Sequence, residues 1–243
     1  MDWELLKRVS RSFYITLRLL PEQVRETIAL AYLLARISDT EADGAASDGE
    51  RELLARKEEL TKLLTKSPDK DAIEKVWTTI REGQEFDKER FKNDPAPLSV
   101  TERDCYTYLV AGCVGEFWTR LCATKIPDYS EKPFEIMLDR GTRFGKGLQL
   151  VNILRDRAAD AKIGRVYITE KELPSGLETA RAHLGAAREY VKALKRGRLR
   201  VACALPLLIG LETLDLVEEY PEARRVKVSR LRVWVLLLRS LVY

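Results

Sequence analysis

Two separate stretches of this chain carry the same pattern of polar residues at helical spacing, and any fold must accommodate both. In residues 32–43, YLLARISDTEAD, the side chains of Tyr32, Arg36, Asp39 and Asp43 recur at i, i+4, i+7 and i+11. At ~100° per residue they form one narrow stripe along a helix. Leu30, Leu33, Leu34 and Ile37 occupy the positions before and between them, so the helix packs among others while its acidic stripe faces a polar space. In residues 149–160, QLVNILRDRAAD, Gln149, Asn152, Asp156 and Asp160 fall at i, i+3, i+7 and i+11, again one stripe ending in DxxxD. A helical fold whose two stripes face each other across a cavity satisfies both.

Carboxylates one turn apart repel, and their burial costs free energy unless a cation or metal is near. Read alone, one DxxxD pair followed by Gly44 and Asp48 is an ordinary solvated helix end, with Arg36 able to pair with Asp39 or Asp43. Two such stripes in apolar helices ask for more. Mg²⁺ takes one or two carboxylates and completes its octahedron with water and phosphate oxygens. Opposed pairs, Asp39 with Asp43 and Asp156 with Asp160, therefore suit several Mg²⁺ ions that in turn hold a diphosphate.

Apolar periodicity and turn signals predict helices over residues 2–20, 22–43, 50–66, 71–92, 100–124, 133–160, 178–196, 198–219 and 226–241. In the third, Leu53, Leu54, Leu60, Leu63 and Leu64 are expected to face inward. The prolines of KNDPAPLS, residues 92–99, mark a connector. Ala111, Gly112 and Gly115 would let a neighbouring helix or a ligand chain approach closely, which offsets the ~1 kcal/mol that a mid-helix glycine costs. With 243 residues, residues 1–243 are read as one domain.

Four segments, SRSFYITLRLLP (10–21), YLLARISDTEAD (32–43), YTYLVAGCVGE (106–116) and LQLVNILRDRAADAKIGRVYIT (148–169), resemble the squalene/phytoene synthase family in residue type, spacing and order. The resemblance implies an all-α, single-domain bundle of the isoprenoid-synthase type around a central cavity. It also implies an enzyme that joins two prenyl diphosphates head to head with Mg²⁺ held by both aspartate motifs. Farnesyl diphosphate is favoured, with a cyclopropylcarbinyl diphosphate first and a squalene-type C30 hydrocarbon after it. By the same resemblance Ser10 and Arg11 bring a hydroxyl and a cation to a substrate diphosphate, and Tyr106 lies at the reaction centre. Tyr32 stands with the catalytic groups, Arg36 and Arg155 offset carboxylate charge and contact phosphate, and Gln149 and Asn152 orient water or diphosphate. Lys146 is another cation near the second stripe. Ala159 departs from the family, which often carries an acid there, and the C-terminal third fits least well. In that third, Arg224, Arg225, Lys227 and Arg230 form a basic series without an assigned role.

Other classes stay open: a phytoene synthase acting on geranylgeranyl diphosphate, a terpene cyclase using the same metal chemistry, and a non-catalytic relative. NADPH use is possible, but no GxGxxG motif supports a tight Rossmann-type site. A net charge of +4 with interspersed signs gives no nucleic-acid surface. Cys105, Cys113, Cys122 and Cys203 form no CxxC and are expected to be small buried hydrophobes in a reducing compartment. The lone His183 is read as a surface residue, which sets aside triad chemistry. Charge within the N-terminal segment argues against a signal peptide, and no apolar run reaches the ~18 residues of a span. A cytoplasmic monomer is expected, with peripheral contact to the membrane that receives a lipid product.

Overall fold

A computed structural model describes residues 1–10, 13–44, 47–195, 197–221, 223 and 226–243, without the Asp43 side chain. Arg11, Arg224 and Arg225 lie outside the described residues. Helices α1 (Trp3–Ser10) and α2 (Phe13–Leu19) stand where one helix over 2–20 is expected, and Pro21 opens α3 (Glu22–Asp43). Gly44, at φ +84°, closes α3, in a region that only glycine enters without strain. Next come α4 (Asp48–Ala55) and α5 (Lys57–Thr65). They replace the single predicted helix because the chain turns at Arg56, whose guanidinium pairs with Asp2 and Glu52. Leu53, Leu60 and Leu64 are buried as expected, Leu54 partly so, and the bend leaves Leu63 exposed.

Helix α6 (Lys70–Asn93) precedes the proline connector. The predicted helix over 100–124 is divided into α7 (Val100–Thr107), a π-helical turn at Tyr108–Gly112 and α8 (Cys113–Lys125). A capping box of Ser99 and Glu102 fixes the start of α7. The long α9 (Phe134–Lys162) spans ~44 Å at 1.5 Å per residue. A short 3₁₀ turn leads to α10 (Leu173–Ala193), then α11 (Arg198–Glu219) and α12 (Arg230–Leu241). Helix α10 starts before the expected position 178. Helix α12 starts after 226, because Ser229 caps it through the Arg232 amide.

Helix α9 forms the centre and packs on α7, the π turn, α8, α10 and α11, while α6 packs on α3, α5, α7, the π turn and α8. Among the described residues α3 and α9 do not pack on one another. The small residues foreseen near 111–115 serve helix packing. A Cβ on Gly115 would come 1.9 Å from the Gly141 carbonyl oxygen, and one on Gly145 would come 2.0 Å from that of Ala111. The π turn and α8 thus lie backbone to backbone against α9.

Candidate active site

On α3 the apolar Leu30, Leu33, Leu34 and Ile37 are buried in the core, and Tyr32, Arg36 and Asp39 stand half-buried on the stripe. The Tyr32 hydroxyl donates to the Val9 carbonyl at 3.3 Å, and its ring lies 5.2 Å from that of Phe13. Ser10 is buried, its hydroxyl donating at 2.5 Å to the Leu6 carbonyl of its own helix. Arg36 spans two acids, Asp39 at 3.4 Å and Glu50 at 2.5 Å. Gln84 of α6 donates to the other oxygen of Asp39 at 2.5 Å.

On α9 the stripe residues Gln149, Asn152, Asp156 and Asp160 are also half-buried, flanked by the buried Leu150, Val151, Ile153 and Leu154. Asn152 donates to Gln149 at 3.4 Å, and Arg155 donates from Nε to Asp156 at 3.1 Å. Burial and then the like charge of Asp156 push the Asp160 carboxyl up to about 6, against the opposing pull of Arg165 and Arg155. Lys146, instead of standing free near this stripe, pairs with Asp104.

Helix α6 carries side chains related to both stripes, and neither aspartate pattern points to it. Asp87 follows Gln84 by one turn. It is buried, accepts from the Tyr167 hydroxyl at 2.5 Å and pairs with Arg165 at 3.4 Å. Its signal lies in the register: Ile73, Val76, Ile80, Gly83 and Asp87 recur on the buried face of α6, so an acid sits where an apolar residue is expected. Gln84 therefore touches the first stripe, while the charge of Asp87 acts on Asp160 of the second.

Beside Asp87 lies an aromatic wall. Tyr106 stacks on Tyr167 at 5.1 Å and 22°, and on Phe86 at 6.4 Å and 29°. Phe91 meets Tyr167 edge-on at 5.2 Å. The loop carrying Tyr167 is strapped to the start of α7, since the Leu98 amide donates to the Val166 carbonyl at 3.0 Å and Arg103 donates to the Tyr167 carbonyl at 2.9 Å. Burial first, and then the Asp87 charge, raise the Tyr106 phenol above its ordinary range. It stays protonated and able to donate.

The structure thus sets Tyr32, Arg36 and Asp39 half-buried on α3 and Gln149, Asn152, Arg155, Asp156 and Asp160 half-buried on α9, with Tyr106 buried and within the field of Asp160. Arg11 and the Asp43 carboxylate lie outside the described residues. Among the described residues no three His, Cys, Asp or Glu side chains converge on one ion position. The donors are nevertheless hard oxygens, and the Asp156–Asp160 repulsion calls for a cation. Two open clefts, of about 540 Å³ between α10, α11 and α12 and about 460 Å³ beside Pro174 and Pro221, include none of the stripe residues. Two expectations change. Cys105 is exposed while the other three cysteines are buried. His183 is half-buried rather than superficial, and burial, then Lys146 and Arg143, lower its pKa.

A family model described as Squalene/phytoene synthase matches residues 6–178 and 175–232. A phytoene synthase of Cereibacter sphaeroides is 28% identical over 187 residues, 68% of this chain and 50% of that protein. A bifunctional lycopene cyclase/phytoene synthase of Colletotrichum graminicola is 29% identical over 197 residues, 67% of this chain and 33% of that protein. A 4,4'-diapophytoene synthase of Staphylococcus haemolyticus is 29% identical over 191 residues, 70% of this chain and 61% of that protein. The chain thus spans a third to three-fifths of the length of these relatives. In fold it is similar to TcSQS in complex with the ligand BPH1237, with a TM-score of 0.82 at 21% identity over 98% of this chain and 84% of that one. A dehydrosqualene synthase in complex with ligand gives 0.72 at 22% identity over 98% and 93%.

Proposed function

The chain belongs to the squalene/phytoene synthase family, and from that premise we propose that it condenses two prenyl diphosphates head to head, with farnesyl diphosphate as substrate. The observation that carries the proposal is the run of contacts from α3 through α6 to the aromatic wall: Asp39 to Gln84, one turn to Asp87, then Tyr167 and Tyr106. It supports a reading in which both acidic stripes serve one buried aromatic wall.

In this reading Asp39, Asp43, Asp156 and Asp160 would hold Mg²⁺, which when bound would supply the positive charge that stabilises a departing diphosphate. Arg36 and Gln84 fix the Asp39 carboxylate, and Arg155 fixes that of Asp156. Gln149 and Asn152, with Ser10 and Arg11, contact the diphosphate or its water. The rings of Phe86, Tyr106 and Tyr167 exclude water and present π faces to the allylic cation left by ionisation. The 2,3 double bond of the second prenyl diphosphate then attacks that cation, and loss of a proton to the released diphosphate closes the ring, giving a cyclopropylcarbinyl diphosphate. A second ionisation expels the remaining diphosphate and rearranges the skeleton, with the neutral Tyr106 hydroxyl as a donor beside the reacting carbons, and the final cation loses a proton or, with NADPH, accepts hydride. A geranylgeranyl substrate is the competing reading, favoured by the phytoene synthases among the relatives.

Incubation with farnesyl or geranylgeranyl diphosphate and Mg²⁺, with and without NADPH, followed by mass analysis, tests this. A C30 hydrocarbon from farnesyl diphosphate is expected. Its chemistry with NADPH present reports whether the product is reduced. Only a C40 product would move the assignment to phytoene, and cyclic products from a single diphosphate would move it to a cyclase.

A further inference from the structure

Helix α12 presents two faces. Leu236 is buried against Leu205 and Leu208, with Leu237 beside them, and this face holds the helix to α11. On the other face Leu231, Trp234, Val235, Leu238, Leu241 and Val242 are each between 38% and 88% exposed. They recur at i, i+3, i+4, i+7, i+10 and i+11, so they form one apolar stripe turned to solvent. Stripes of this size on a protein surface mark a contact.

Charge says what kind of contact. Residues 224–243 include Arg224, Arg225, Lys227, Arg230, Arg232 and Arg239 and no acid. The whole chain has 42 basic and 38 acidic residues. Removing these six leaves 36 basic against 38 acidic, so the positive excess of the molecule resides in this segment. At ~100° per residue Arg230 borders the apolar stripe on one side, and Arg232 and Arg239 border it on the other. Arg232 is also tied to Glu212 at 2.8 Å. Arginines on both borders can extend to phosphate while their stems lie on acyl chains, and tryptophan favours the same boundary. Twelve residues reach only ~18 Å, and among the described residues no helix is long and apolar enough to cross a membrane.

We propose that α12 lies in the plane of an anionic lipid bilayer, with the Leu231–Val242 stripe in the headgroup boundary and its arginines on lipid phosphates. Docking would set the protein beside the phase that receives a water-insoluble product. Only that purpose rests on the prenyl-transfer reading.

The test is co-sedimentation of the full chain with phosphatidylcholine vesicles, with and without phosphatidylglycerol, while the fluorescence of Trp234 is followed. The wild type is expected to partition onto the anionic vesicles with a blue shift that is absent in Trp234→Phe. Arg230→Gln and Arg239→Gln should each weaken this binding about fivefold, and raised salt should do the same. The double change Trp234→Ser with Leu238→Ser should reduce binding by ~tenfold or more, with turnover in detergent unchanged. A wild type that ignores both vesicles would overturn the proposal. So would a dimer seen by sedimentation velocity and dissolved by Leu238→Glu, since the stripe would then be an interface between copies. Failure of vesicle binding with turnover intact concerns α12 alone, whereas absent turnover concerns the prenyl-transfer reading.

Discussion

Asp87 illustrates how one buried carboxylate can organise a wall of otherwise apolar groups. It accepts from the Tyr167 hydroxyl and pairs with Arg165, so Asp87→Ala takes one acceptor away from a buried hydroxyl and one from a guanidinium. A buried group that loses a partner in this way costs ~1–3 kcal/mol, and the part-exposed arginine recovers some of its loss in water. A decrease of ~2 kcal/mol in urea unfolding is expected. Asp87→Asn, whose amide oxygen can still accept from Tyr167, should recover part of it, and an Ala variant as stable as the wild type would remove Asp87 from this role. Tyr106 is tested by chemistry rather than stability. Tyr106→Phe keeps the stack on Tyr167 and Phe86 and deletes only the hydroxyl. The cyclopropylcarbinyl diphosphate should then accumulate, because the later rearrangement slows more than the first ionisation, whereas Tyr106→Ala should slow both steps. Small and equal effects in the two variants would return Tyr106 to a packing role.

Where α8 meets α9, the close approach at Gly115 makes a contrast between two glycines. A Cβ there would meet the Gly141 carbonyl oxygen at 1.9 Å; backbone cannot swing aside, so the helices must separate. Gly115→Ala should lose ~2 kcal/mol by overpacking, while Gly185→Ala on α10, where a Cβ meets nothing within 4 Å, should gain up to ~1 kcal/mol from helix propensity. Thermal unfolding of both variants checks the opposite signs. The start of α7 offers a pH test. Arg90 first, and the Ser99 backbone next, hold Glu102 down to about 2. A depressed carboxylate stabilises the fold above its unfolded value and loses that effect as pH falls from ~4.3 towards the folded value. Glu102→Gln should therefore unfold at lower urea than the wild type at pH 7, and the gap should close as pH falls through about 2. Helices α3, α6 and α9 were legible in the sequence because their apolar periods are long and local, and both aspartate stripes came with them. The π turn at Tyr108–Gly112 was not, since residues 100–124 keep an ordinary helical period. The tight fit of Ala111 and Gly115 against α9 arises only in the assembled bundle. The break at Arg56 escaped for a similar reason, its partner Asp2 lying far away in sequence. Asp87 was visible as an acid in an apolar register, but its partners Tyr167 and Arg165 come from beyond α9.

Across the whole molecule the two acidic helices are held apart: among the described residues α3 does not pack on α9, and α6, α7 and α8 connect them. A ligand that engages both walls would therefore add a tie that the apo protein lacks, and its binding free energy would appear as stability. Neither half of that ligand should suffice. On the proposed reading pyrophosphate alone would meet the carboxylates of Asp39, Asp156 and Asp160 as a like charge, while Mg²⁺ alone would find only one or two carboxylates on each helix and keep most of its water. Together they would complete each other's coordination. At a hundredfold excess over its dissociation constant the pair should stabilise the fold by ~2.7 kcal/mol. For a chain of 243 residues that corresponds to a rise in Tm of ~5–10 °C, reversed by EDTA. Asp39→Asn and Asp156→Asn should each lose most of the rise while keeping the helical circular dichroism, because each removes one charge and leaves the packing intact. Arg230→Gln, out on α12, should keep it in full. If pyrophosphate without Mg²⁺ gave the same rise in the wild type, the anion would be held by Arg36, Arg155 and Arg165 directly, and the aspartates would lose their place as metal ligands.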